Sequence, residues 1–189
     1  MGVALAALLI DNLPKIDAGM AGLKNIDYVL RKLAWMRSQR IWPNGLRYLW
    51  TDAFGLVLLV SLYGALNEEP YLDGAMELVA EVDRVLGRKR GIRIGEEPDR
   101  RQYFHYLAMW LYALGVLGRY EPAYRNKGIA LARAIHRPFV VPGRGVIWKM
   151  KEDLSGPYPG YGFGALMRST ATSPIGSSTN KRWLTRSPR

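Results

Sequence analysis

Few residues in this chain are equipped for covalent or metal chemistry. There is no cysteine, and the histidines are His105 and His136. This excludes a disulfide framework, a thiolate metal centre and a cysteine nucleophile, and it argues against a histidine-rich metal site. Gly143-Arg144-Gly145 is too short and wrongly placed for a phosphate loop, so no nucleotide or other cofactor is expected. Carboxylates, one histidine in an apolar stretch and a set of aromatics remain. Asp52 follows Thr51 at the head of a long apolar run, where either residue is a good helix cap. Asp99 lies in a charged stretch that suits a solvated loop acid. His105 sits within QYFHYLAMWLYALGVLG, residues 102–118, where a hydrogen-bonded core histidine is the ordinary occupant. Trp50, Tyr103 and Trp110 read equally well as core aromatics. Glu68, Glu69, Glu96 and Glu97 read as caps or solvated charges.

The elements that hold these residues are helices. Residues 24–38 place Ile26, Val29, Leu30, Leu33 and Met36 near helical spacing with Lys and Arg between them. IWPNG, residues 41–45, is turn chemistry and ends that helix. A second helix is expected from Thr51-Asp52 to about Leu66, apolar nearly all round. Asn67-Glu68-Glu69-Pro70 signals a restart, with Asn as cap and Pro near the helix start. The helix after it carries Leu72, Ala75, Leu78, Val79, Val82, Val85 and Leu86 on one stripe, and the basic turn Gly87-Arg88-Lys89-Arg90-Gly91 closes it. Residues 92–101 read as a charged loop and 102–118 as a deeply buried helix. Residues 120–137 read as a more polar helix stopped by Pro138 and Pro142, and VIWKM, 146–150, as a short strand. A buried helix followed by an amphipathic one thus occurs twice. Two such hairpins suggest an all-α toroid or solenoid, with a plain four-helix bundle as the alternative.

Composition sets the class of partner. At 49% apolar and 11% aromatic residues, the chain is globular in type. Net charge is +11, which invites a nucleic-acid reading. Residues 167–189 contribute Arg168, Lys181, Arg182, Arg186 and Arg189 against no acid. The +6 left on the rest is spread over several segments, which argues against nucleic acid. MGVALAALLI lacks a basic leader region, and the apolar run 53–66 is shorter than the roughly 20 residues a bilayer span needs. The expected location is cytoplasmic, with no membrane partner.

Three segments carry a family resemblance: LRYLWTDAFGLVLLVSLY (46–63), DRRQYFHYLAMWLYAL (99–114), and RAIHRPFV with VIWKMKEDLSGP (133–157). In order and spacing they resemble uncharacterised proteins of the six-hairpin glycosidase-like superfamily. The resemblance implies an (α/α)6 toroid, here incomplete, and a carbohydrate ligand. Glycoside hydrolases, lyases and sugar epimerases share that fold. It further implies a central cleft ringed by the loops that enter the inner helices. Asp52, Asp99 and His105 are the catalytic candidates there, the two carboxylates serving as acid and base at a glycosidic bond. Trp50, Gln102, Tyr103 and Trp110 are the sugar-binding candidates, through ring stacking and hydroxyl contacts. The resemblance leads one to expect Asp-Gly-Gln before the Tyr-Phe-His run. The chain instead has Asp99-Arg100-Arg101-Gln102.

Relatives of that kind continue after the DLSGP loop with a stretch like Asp-Ala-Leu-Asp-Gly, an aliphatic, then Thr-Tyr. This chain gives MRSTATSPIGSS, residues 167–178. A one-nucleotide shift in one allowed codon choice for that string reads Asp-Ala-Leu-Asp-Gly-Tyr-Val-Thr-Tyr-Arg-Leu-Leu. The expectation is a partial toroid domain over 1–164 and a basic tail over 165–189, disordered or out of frame. The chain itself would then be an inactive fragment of a glycoside hydrolase or related sugar-active enzyme. The alternative is a non-catalytic helical-repeat interaction module.

Overall fold

The structure is a computed structural model that describes residues 25–43, 45–96 and 101–160. Asp99 and the basic tail lie outside the described residues. Five helices follow one another: α1 (Ile26–Ser38), α2 (Leu49–Leu66), α3 (Glu69–Leu86), α4 (Phe104–Leu117) and α5 (Pro122–Phe139). Strand β1 (Arg101–Tyr103) runs straight into α4. After α5 come β2 (Val140–Val141), β3 (Gly145–Val146) and β4 (Lys149–Lys151). Two antiparallel ribbons result. One pairs β2 with β3, and the other pairs β1 with β4 in the register Arg101↔Lys151, Gln102↔Met150, Tyr103↔Lys149.

Helices α2 and α4 are apolar all round because both are inner helices. They pack on each other, and the amphipathic α3 and α5 cover them from outside. Leu49, Ala53, Leu56 and Val60 of α2 meet Leu107, Trp110, Leu114 and Leu117 of α4 in one core. Leu72, Ala75, Val79, Val82 and Leu86 of α3 bury the stripe that the sequence gives them. This is the repeated-hairpin, all-α arrangement of part of a helical toroid. α1 adds Leu33 to the core and leaves Tyr28 and Trp35 exposed, with Lys32 over both rings.

Three local expectations are corrected. α2 begins at Leu49, not at Thr51, and its cap is the extended residue Tyr48. The Thr51 hydroxyl donates to the Tyr48 carbonyl at 2.9 Å and the Asp52 N–H donates to it at 3.0 Å, so neither residue caps. The two added residues give α2 18 residues, long and apolar enough by length and composition to cross a membrane. Its packing between α3 and α4 accounts for that apolarity. Asn67 closes α2 instead of opening α3: it adopts the left-handed conformation at φ 55°, which Asn tolerates, and its N–H donates to Tyr63 O.

Candidate functional site

Aromatic rings converge where the chain enters α2 and α4. Trp50 is the second residue of α2, and β1 delivers Tyr103, His105 and Tyr106 to the start of α4. The Trp50 ring centroid lies 5.5 Å from that of His105 and 5.1 Å from that of Tyr106. Tyr103 meets Tyr106 edge-on at 5.2 Å. Trp148, which precedes β4, stacks on His105 at 4.4 Å with ring planes 16° apart. The Tyr48 and Tyr106 hydroxyls hydrogen-bond to each other. Burial, and then that bond, push the Tyr48 phenol up to about 12. The His105 Nδ1 is buried without a hydrogen-bond partner among the described residues, and burial lowers the imidazole pKa, so the ring is neutral at pH 7. The cluster therefore offers flat apolar faces beside a neutral imidazole able to accept a proton.

Lys149 is buried against this cluster. Its ammonium lies 4.5 Å from the Tyr103 ring centroid and 5.0 Å from that of Tyr158, in a side chain 1% exposed. In the antiparallel register Tyr103 and Lys149 are partners, so both project from one face of the ribbon.

Trp50, Tyr103 and His105 are thus brought together in one aromatic cluster. The other described candidates are not. Asp52 is two residues beyond Trp50, about 200° round the helix. It is fully buried on the far side, where its Oδ1 accepts from Trp42 Nε1 at 3.0 Å and pairs with Arg47 Nη1 at 3.3 Å. Burial raises the Asp52 pKa, and Trp42 and Arg47 only partly offset this. Asp52 pins the 42–47 loop to α2, and Gly55 makes room for the Trp42 ring that a Cβ would strike. It does not face the cluster as a general acid would.

Gln102 is a buried clamp, not a hydroxyl binder. Its Oε1 accepts from Ile92 N at 3.1 Å, while Nε2 donates to Arg90 O at 2.9 Å and Glu152 O at 2.6 Å. With 0% exposure and its amide engaged at both ends, nothing is left for a sugar. Trp110 is also fully buried, packed in the core below His105.

Tyr48, Tyr106, Trp148 and Lys149 were not singled out by the sequence. Tyr106 had a signal in its position beside His105. Trp148 had none, because its stacking partner lies on a distant element. Among the described residues, no group of three or more His, Asp or Glu side chains gathers as metal ligands would.

The chain matches no protein-family model and none of the curated proteins. Among solved structures it is similar to cellobiose 2-epimerase from Spirochaeta thermophila DSM 6192. The TM-score is 0.55 at 18% identity, covering 62% of this chain and 32% of that one. The chain therefore spans about a third of that protein's length, and at this identity the likeness shows the fold alone. Comparison and architecture agree on the fold: repeated helical hairpins that form part of a helical toroid.

Proposed function

We propose that this chain supplies one wall of a carbohydrate-binding cleft in a sugar-active enzyme of the six-hairpin glycosidase-like type. The observation that carries the reading is the cluster of Trp50, Tyr103, His105, Tyr106 and Trp148 at the entrances to the inner helices. Aromatic faces of this kind stack on the C–H surface of a pyranose. The similarity to a sugar epimerase supports a carbohydrate ligand. The chain spans 32% of that enzyme, and burial alone moves the His105 pKa, with no carboxylate among the described residues acting on it. The proposal is accordingly for binding without turnover by this chain, in the cytoplasm, the acid and base of a glycosidase lying elsewhere in a whole toroid.

Intrinsic tryptophan fluorescence of the purified chain, titrated with a panel of neutral and acidic oligosaccharides, tests this. At least one class should bind, and Trp148→Ala should abolish the response. A chain that is helical by circular dichroism yet indifferent to every saccharide refutes it. The second reading, a non-catalytic interaction module, is favoured by one observation: the exposed Tyr28, Lys32 and Trp35 share a face of α1.

A further inference from the structure

The basic turn that closes α3 builds a recess of its own. Arg88, Lys89 and Arg90 form one wall, and Lys151, Glu152 and Asp153 form the other, around a cavity of about 570 Å³. Four cations face two carboxylates. Both carboxylates are committed: Arg88 Nε pairs with Glu152, and Asp153 accepts from Ser155 N at 2.9 Å. That bond holds the Asp153 carboxyl below its ordinary range, with Lys151 contributing. Lys89 and Arg90 make no ion pair among the described residues. The Arg90 guanidinium has one long bond, 3.5 Å, to Ala134 O. The lining thus carries a surplus of positive charge in a concave setting, where an anion gains most.

The walls are fixed in advance. Gln102 bonds at once to the Arg90 and Glu152 carbonyls and so bolts the two turns together from beneath. Gly91 permits the turn at φ +79°, and a Cβ there would run into the Gln102 amide. The recess also adjoins the aromatic cluster. Lys151 and Lys149 lie two residues apart on β4, about 7 Å along one face. Their partners Arg101 and Tyr103 share that face. Tyr158 covers the middle of that face, its ring centroid 5.0 Å from the Lys149 ammonium and 5.1 Å from the Arg101 guanidinium carbon, and the exposed Lys151 leads from it to the recess.

We propose that this recess is an anion subsite and that the saccharide taken by the aromatic cluster is acidic, carrying a carboxylate or ester oxyanion. The proposal rests on the carbohydrate reading of the cluster. A neutral sugar gains only hydrogen bonds from Lys89, Arg90 and Lys151, whereas the oxyanion of an acidic unit also meets their charge and an arginine fork suited to it. Nucleic acid is disfavoured because the charge is confined to one recess beside the rings and does not form a stripe along a helix.

Isothermal titration of the full chain separates the outcomes. The probes are a uronate trisaccharide, a sulfated trisaccharide, a neutral trisaccharide and a short single-stranded DNA. The acidic sugars should bind about 10-fold or more tighter than the neutral one. That preference should vanish in the Lys89→Gln/Arg90→Gln double variant and shrink in Lys151→Gln. Raising the salt to about 0.5 M should weaken acidic but not neutral binding. Preference for the uronate or the sulfated arm identifies the oxyanion, and either supports the inference. Equal binding of neutral and acidic sugars overturns it while leaving the carbohydrate reading intact. An acid preference that survives the double variant likewise overturns it. Failure of every saccharide overturns both, as does DNA binding tighter than the uronate through the same residues. Circular dichroism confirms that the surface variants fold.

Discussion

Replacing Gln102 by leucine should destabilise the protein by about 2–5 kcal/mol, more than any surface substitution away from the core. The magnitude follows from what the side chain leaves behind. The Ile92 N–H bonds to Gln102 Oε1, in a residue 5% exposed, so its loss strands a buried donor at about 1–3 kcal/mol. The carbonyls of Arg90 and Glu152 belong to residues with more access to water, and each should add about 0.5–1 kcal/mol. Leucine keeps most of the volume, so the cavity contribution is small. Gln102→Glu discriminates further. It sets a carboxylate oxygen against two carbonyl oxygens, which the protonated acid relieves by donating to one of them. The introduced acid therefore has a raised folded-state pKa, and its penalty should grow as pH rises through about 4.3 and shrink below it. Urea unfolding followed by tryptophan fluorescence measures both, with an unchanged m-value as the check on two-state behaviour. A loss under about 0.5 kcal/mol for Gln102→Leu refutes the clamp. So does a Gln102→Glu variant whose stability, relative to Gln102→Leu, ignores pH.

Asp52→Ala should cost about 3–5 kcal/mol in the same assay, because it leaves Arg47 buried and unpaired. A cap alone would give about 1 kcal/mol, and a loss that small contradicts the structural assignment. The His105 pKa is lowered on folding, so the folded state binds its proton less readily than the unfolded chain does. Stability from this group is present above the unfolded value of about 6.5 and is lost as pH falls below it towards the folded pKa. NMR titration of the imidazole should show a pKa below 6.5, and a value above that excludes the buried, neutral ring. Sequencing the locus around codons 164–166 tests the frame-shift expectation. A neighbouring frame encoding a DALDG-like stretch supports it, and its absence ends it.

The helices were legible because their signals are local. The stripe on α3 and the apolar character of α2 and α4 are periodicities within one segment, and the alternation of buried and amphipathic helices already implied inner and outer layers. Termini were read less well where a polar residue suited two roles. Thr51-Asp52 has cap chemistry, yet Tyr48 opens the helix and the Asp52 carboxylate serves Trp42 and Arg47. Asn67 suits an N-cap, yet its left-handed conformation ends the previous helix. The candidate site divided in the same way. Trp50 stands at the entrance to α2 and Tyr103 and His105 at the entrance to α4, so position along the chain located them. The stacking of Trp148 on His105 and the grip of Gln102 on Arg90 and Glu152 join segments far apart in sequence, where no spacing rule operates.

A crystal structure of the chain soaked with a short acidic oligosaccharide tests the central claim most directly. The account predicts a pyranose ring against the Trp50, His105 and Trp148 faces, with its oxyanion directed along β4 towards Lys151 and the 88–90 turn. Sugar density away from these residues, or none at a concentration where the same oligosaccharide saturates in solution, contradicts it.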